Sequence, residues 1–326
     1  MILKRKKKKE KITRILFVTD IHGQERVFKK FVNAAKIYNI DVLILGGDIT
    51  GKLVVPIIER PDGRYEATFM DRKHVLKKDE LRNFMDIVSF TGNYPYLTTR
   101  EELEEIKANP VKEKEILHKL MIDRLSKWIN LAEERLKDVS TVLYITGGND
   151  DPPEITDFLK SIKSEHVVDP EDRVVWIDSE HEMVSCGYGN ITPWRCPRDI
   201  PEDKLYEKIE EMADKLEKAE SAIFNIHVPP YDTGLDTCPR LDTTVYPPRP
   251  IIGEYISAGS IAVRKAIEKY QPLVGLHGHI HESRGKAKIG RTLCFNPGSE
   301  YSEGILRGVI LNISEKKVET YMFISG

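Results

Sequence analysis

Three of the nine histidines fall inside five residues, in the heptapeptide HGHIHES at His277 to Ser283, directly after the apolar run PLVGL. On extended backbone, alternate residues project to one side about 7 Å apart at Cα. Two paired cations lie about 3.5–4 Å apart, so His279 and His281 can each offer an imidazole to one of them. The competing reading is an ordinary polar strand end. Four more short stretches bear on the choice: DIH with Asp20 and His22, GGDITG with Asp48, GGNDD with Asn149 and Asp150, and NIHVPP with His227. Each ends an apolar run in a polar or glycine-rich turn, and sites in open α/β sheets form outside the carboxyl ends of the strands. Five such ends would gather Asp20, His22, Asp48, Asn149, His227, His279 and His281. That many oxygen and nitrogen donors exceeds what one cation takes from protein and suits two first-row dications sharing a carboxylate. Gly46, Gly47, Gly51, Gly147, Gly148 and Gly278 stand beside these donors, where glycine permits tight turns and close backbone approach. Any one stretch is common by chance; five in order are not.

The elements that must hold these residues follow from the apolar pattern. KITRILFVTD reads as a buried strand, and QERVFKKFVNAAKIYN as a helix with Val27, Phe28, Phe31, Val32 and Ala35 on its stripe. DVLILGGD is a second buried strand, so the chain opens as an α/β sandwich. KLVVPIIERPDGRYEATFM is expected to form a hairpin around Pro-Asp-Gly. The text from Lys78 to Asp138 reads as helical, with Leu117, Leu120, Met121, Leu125, Trp128, Ala132 and Leu136 on one face. Buried strands TVLYITGGND, SAIFNIHVPP and PLVGLHGHIH come next. Helices EDKLYEKIEEMADKLEKA and GSIAVRKAIEKYQ precede the last two. GVILNISEKKVETYMFI closes the chain as a hairpin. There is no internal repeat and no low-complexity linker, so residues 1–326 read as one domain.

A net charge of −2 gives no global pull toward nucleic acid or a membrane surface. The exception is the basic run MILKRKKKKEK at residues 1–11, expected to be a solvated tail, with anionic-lipid or nucleic-acid contact as the alternative. The ILFV behind it is too short for a signal-peptide core, and no stretch approaches the roughly 18 apolar residues of a membrane span. Cys186, Cys196, Cys238 and Cys294 form no C-x-x-C pair, so reduced thiols in a cytoplasmic protein are expected. Charged residues make up 31% of the chain and glutamine occurs only at Gln24 and Gln271, the lean of a thermophile.

The ordered series D-x-H, GD-x-x-G, GN-x-D, a strand-end His and GH-x-H resembles the calcineurin-like metallophosphoesterase superfamily. It runs from Asp20 to His281, and FNPGS at Phe295 to Ser299 extends it. HVPPYDTGLD and GSIAVRKAIEKYQPLVGLHGHIHES resemble a prokaryotic branch of predicted phosphoesterases. The resemblance implies a four-layer α/β/β/α sandwich binding two divalent metals, from among Mn, Fe, Zn, Ni and Co. It assigns Asp20, His22 and His281 to the first metal and Asn149, His227 and His279 to the second, with Asp48 bridging. His277 matches no ligand of the family and is expected to be structural or hydrogen-bonded to a ligand. His74, His118, His166 and His181 lie outside the motifs. The implied reaction is hydrolysis of a phosphodiester or phosphomonoester by in-line attack of metal-bound hydroxide, with no covalent intermediate. A nuclease or nucleotide-lipid pyrophosphatase is the alternative within hydrolases. A non-catalytic interaction scaffold on the same fold is the alternative of another class, and the presence of all seven donors speaks against it.

Two features depart from the family pattern. Many members carry Asn-His-Asp in the third motif, the His protonating the leaving oxygen, where this chain has Asp150. A carboxylate beside two dications is expected to be ionised at pH 7 and a poor acid. This puts in doubt the expulsion of poor leaving groups. The second departure is a segment of residues 52–138, longer than compact members need. It is a structural insertion, a substrate-selecting cap or a homo-oligomer interface. The loop GYGNITPWRCPRD and the residues after His227 are candidate site walls. There Trp194 offers a stacking face, Arg195 a phosphate partner and Tyr231 similar chemistry, each against an ordinary structural role.

Overall fold

The apolar runs that precede the motifs are strands buried on both faces, which is why they alternate so little. In the computed structural model, which describes residues 11–245 and 247–326, they belong to two six-stranded sheets. The basic run that opens the chain, apart from Lys11, lies outside the described residues. The first sheet has the order β20 (Lys317–Ser325), β19 (Arg307–Ser314), β1 (Thr13–Val18), β2 (Val42–Gly46), β7 (Val142–Thr146), β8 (Val167–Val168). The second has the order β17 (Gly285–Ile289), β18 (Thr292–Asn296), β16 (Val274–Leu276), β13 (Ile223–Ile226), β10 (Glu182–Cys186), β9 (Val174–Trp176). Strands β1, β2 and β7 run parallel, as do β10, β13, β16 and β18. All five motif-bearing strands are among these.

Alternation along each strand sorts the core into layers. Ile15, Phe17, Ile44, Met183, Val274 and Phe295 pack between the sheets. Leu16, Val18, Leu43 and Leu45 face the other way, onto α1 (Glu25–Ile37), α4 (Pro110–Leu136) and α5 (Pro153–Ser161). Val184, Cys186, Phe224 and Ile226 face α6 (Glu202–Ala213) and α7 (Ile261–Tyr270). The result is a four-layer α/β/β/α sandwich. All four cysteines are unpaired, and no helix among the described residues is long and apolar enough to cross a membrane.

The segment between β2 and β7 holds a third sheet, in the order β5 (Arg72–Leu76), β4 (Tyr65–Phe69), β3 (Val54–Glu59), β6 (Tyr94–Thr98). The hairpin at Pro61-Asp62-Gly63 is present, closed by Arg60 N–H donating to Arg64 O at 2.9 Å. The stretch from Lys78 to Asp138 is not helical throughout, however. It is α2 (Lys78–Phe90), then β6, then α3 (Arg100–Ala108), then α4. Gly92 and Asn93 end the first helix, and the Tyr-Pro-Tyr of β6 combines strand-favouring aromatics with a proline that cannot donate to a helix. The amphipathic stripe on α4 is core: Met121, Leu125, Trp128, Ala132 and Leu136 are buried, and Trp128 stacks on Phe28 at 4.4 Å. Two ribbons were not foreseen, β11 (Gly189–Asn190) with β12 (Asp199–Ile200), and β14 (Thr237–Asp242) with β15 (Arg249–Ser257). Helix α6 is also shorter than its sequence pattern suggests, ending at Ala213.

Candidate metal centre

The carboxyl ends of β1, β2, β7, β13 and β16 meet, and all seven sequence-derived donors meet with them. Asp20, His22 and His281 bring one donor atom each into a single cluster, and Asp48, His227 and His279 do the same in another. On the first side, His281 Nε2 lies 3.2 Å from His22 Nε2 and 3.4 Å from Asp20 Oδ1, with Asp48 Oδ2 3.8 Å from His22 Nε2. On the second, His227 Nε2 lies 3.4 Å from Asp48 Oδ1, and His279 Nδ1 lies 3.0 Å from Asn149 Oδ1. The two oxygens of Asp48 thus face opposite clusters. Ligands about 2.1 Å from one metal, at angles between octahedral and tetrahedral, are about 3.0–3.4 Å apart. Most of these spacings fall in that band. His227 Nε2, aimed into the cluster, is buried without a hydrogen-bond partner, so the cluster has polar capacity that its own atoms do not satisfy. The donor set therefore fits two divalent cations.

The backbone is bent to make this cluster. Asp20, His22, Asp48 and His279 have φ of 54°, 41°, 48° and 65°. Such left-handed conformations cost on the order of 1 kcal/mol or more each and persist only where the surroundings hold them. Three hydrogen bonds tie the first two turns together: Asp20 N–H to Gly47 O, His22 N–H to Asp48 O and Gly23 N–H to Ile49 O, at 3.0, 2.9 and 2.8 Å. Gly278 is required by close approach, because a Cβ there would sit 2.3 Å from Asp20 Oδ2. His279 N–H then donates to Asp20 at 3.1 Å, joining β16 to β1.

Outer partners set the orientation of each donor. His227 Nδ1–H donates to Gly46 O at 3.0 Å, which turns Nε2 inward. Asn149 Nδ2 donates to Asp199 Oδ1 at 2.8 Å, which turns its carbonyl oxygen toward His279. Asp151 is buried and accepts from Ile49, Thr50 and Gly148 amides at 3.0, 2.9 and 2.7 Å, clamping the Asp48 and Asn149 turns together. His277 is buried, with Nδ1 at 2.8 Å from Ile226 O, the carbonyl that precedes His227, and with Nε2 unpartnered among the described residues.

Burial and charge pull the titrations apart. Burial, the larger influence, brings His22 and His279 down to about 4, so both are neutral and free to bind a metal at pH 7. Burial also acts downward on His227, but the Asp48 carboxylate, together with Asp20 and the Gly46 carbonyl, raises that histidine to about 9. Its Nε2 faces the Asp48 and Asp20 carboxylates at 3.4 and 3.8 Å. Burial acts upward on Asp48, but the charge and hydrogen bonding of His227, with His22 and His279 beside it, together hold Asp48 well below the usual carboxylate range.

Asp150 sits at the rim. Its N–H donates to Asp48 Oδ1 at 3.0 Å and its carboxylate is ion-paired with Lys52, while His22 Nδ1 at 3.9 Å is beyond hydrogen-bond reach. Burial, followed by the Asp48 charge, raises its pKa against the pull of Lys52. Of the proposed walls, Trp194 and Arg195 are exposed, and neither side chain has a hydrogen-bond, ion-pair or ring partner among the described residues. The Tyr231 ring is likewise unpartnered; its backbone is held by Ser260 and Arg264.

Sequence reasoning missed Lys52, Asp199 and Tyr301. The Tyr301 ring lies 4.6 Å from that of His22 and 5.8 Å from that of His281. A cavity of about 380 Å³ opens beside His281, lined by Tyr301, Ser299, Arg284 and Arg307 among others. Lys52 had a readable signal, a cation directly after a ligand-bearing turn. Asp199 had none.

The model of the calcineurin-like phosphoesterase family matches residues 13–283. The uncharacterized protein MJ1162 of Methanocaldococcus jannaschii is 32% identical over 181 residues, covering 54% of this chain and 73% of that one. The crystal structure of TT1561 of Thermus thermophilus superposes with a TM-score of 0.53 at 14% identity, over 97% of this chain and 99% of that one. At that identity the likeness concerns the fold alone.

Proposed function

Because this chain belongs to the calcineurin-like phosphoesterase family, we propose that it is a dimetal-dependent hydrolase of a soluble phosphodiester or phosphomonoester. The observation that carries the reading is the Asp48 carboxylate, one oxygen turned to each of two donor clusters. Asp20, His22 and His281 would hold the first cation and Asn149, His227 and His279 the second, with Asp48 between. Two bound dications would supply a water of lowered pKa and offset the charge of the transferring phosphoryl group.

The remaining roles belong to the chain. Asp199 and Gly46 fix which atoms of Asn149 and His227 face the site. Lys52, paired with Asp150 at the rim, places an ammonium where an incoming phosphate ester would pass, and cations there favour an anionic group that is losing its water. Asp150 takes the place of the family's proton-donating histidine, and its pairing with Lys52 marks it as an acceptor. Leaving groups that need little protonation are therefore the favoured ones. The cavity beside His281 gives room for the rest of the substrate, with Arg284 and Arg307 on its wall. Trp194, Arg195 and Tyr231 remain proposed substrate contacts. The test is metal content measured alongside turnover of a panel of mono- and diesters; metal-free protein that turns over the panel at an undiminished rate would refute the reading.

A further inference from the structure

The elbow Gly92-Asn93-Tyr94 between α2 and β6 is wedged against the two turns that carry His22 and Asp48. A Cβ on Gly51 would lie 1.9 Å from Gly92 O, and one on Gly23 would lie 2.7 Å from the same oxygen. Three backbones therefore meet where no side chain fits. Arg124, from α4, ties them together. Its Nη1 donates to Gly23 O at 2.8 Å and to Gly92 O at 3.1 Å, and its Nη2 donates to Asn93 O at 2.6 Å. Its guanidinium lies 4.1 Å over the ring of Tyr94, whose hydroxyl accepts from Gly51 N–H at 3.0 Å.

Arg124 is buried and forms no close ion pair among the described residues, the Glu25 carboxylate acting on it only from a distance. A buried cation without a counter-ion is costly. Three carbonyls and an aromatic face compensate it here, and those carbonyls belong to the turn after His22 and to the elbow. His22 and Asp48 both hold left-handed backbone that must be imposed from outside. By contrast, Asn149, His227 and His279 make no hydrogen bond to the 52–138 segment.

We propose that Arg124 and Tyr94 are positioning residues for the first metal, locking the His22 and Asp48 turns into ligand geometry. The 52–138 segment is then a working part of the centre, not a detachable cap. The inference rests on the reading that Asp20, His22, His281 and Asp48 hold a cation.

The experiment is a cobalt(II) titration of the full chain, followed by visible absorption and by metal content after dialysis. His281→Ala and His279→Ala assign the two binding steps. Arg124→Met should weaken the first step by on the order of 10-fold, within the range for outer partners of metal ligands. Tyr94→Phe should weaken it by less, and in both variants the second step, which shares only Asp48 with the first, should weaken less than the first does. A purely structural role would lower the melting temperature and weaken both steps alike, which would overturn the proposal. Should Arg124→Met fail to fold, Tyr94→Phe, which loses one hydroxyl, carries the test. A wild type that takes up fewer than two cobalt ions overturns the dimetal reading and this inference with it. A wild type that takes up two, with a first step unchanged in both variants, overturns this inference alone.

Discussion

Replacing Asp199 by Asn changes one oxygen for an NH2 group, and the surrounding donors determine the consequence. Asp199 Oδ1 accepts from Asn149 Nδ2 at 2.8 Å, while Oδ2 accepts from the Thr192 amide, the Thr192 hydroxyl and the Cys196 amide at 2.9, 2.5 and 2.9 Å. In Asp199→Asn the remaining oxygen can serve only one side. Facing Asn149, it abandons three donors, at about 1 kcal/mol or more each. Facing the loop, it sets its NH2 against the NH2 of Asn149. The cheaper outcome is that Asn149 flips, turning its nitrogen toward His279 and its oxygen away from the second metal. An amide nitrogen has no available lone pair for a cation, so the second site loses one ligand. We expect affinity there to fall about 10–100-fold, about 1.4–2.7 kcal/mol, with the first site little affected. The assay is metal titration of wild type and variant, with fold checked by thermal melting. Unchanged second-site affinity in a folded Asp199→Asn protein would refute the reasoning.

Other outcomes are equally open to measurement. Lys52→Met should weaken inhibition by inorganic phosphate by about 10-fold, from loss of one charge-assisted contact; an unchanged inhibition constant would remove Lys52 from the substrate path. Wild type should cleave aryl diesters readily and alkyl esters poorly, and Asp150→His should narrow that gap within the 10²–10⁴-fold that general acids contribute. A shallow leaving-group dependence, the same in both proteins, would mean another group supplies the proton. Burial acts upward on Asp178, yet hydrogen bonds from His181 and Thr13 hold it below the usual carboxylate range. Its contribution to stability is therefore present above the unfolded pKa of about 3.9 and is lost as pH falls through the depressed folded value. The melting gap between wild type and Asp178→Asn should thus be wide at pH 7 and start to close below about pH 4. The Lys- and Glu-rich composition leads us to expect melting above about 60 °C, which a calorimetric scan checks.

The motif residues were legible because buried parallel strands write themselves as apolar runs, and their carboxyl ends must carry whatever the site needs. Asp20, His22, Asp48, Asn149, His227, His279 and His281 follow from that rule, and the structure gathers all of them. The reach of the insertion was not legible. The Tyr-Pro-Tyr of β6 was available as a warning, but amphipathic stretches on both sides masked it. Arg124 occupies an unremarkable place in the α4 repeat, and only the fold shows that its guanidinium reaches Gly23 and Gly92. Asp199 acts across two loops, and the sequence pattern carries no signal of such a contact. Local periodicity reveals strands and helices; contacts between turns far apart in the chain depend on how the layers dock.

The most direct measurement is the metal content of purified wild type and Asp48→Ala, taken together with turnover of an aryl phosphodiester. Two divalent ions per wild-type chain are expected. In Asp48→Ala both sites should lose metal and hydrolysis should be abolished, because the variant removes the carboxylate that faces both clusters. A folded Asp48→Ala protein with undiminished metal content and turnover would contradict the dimetal centre.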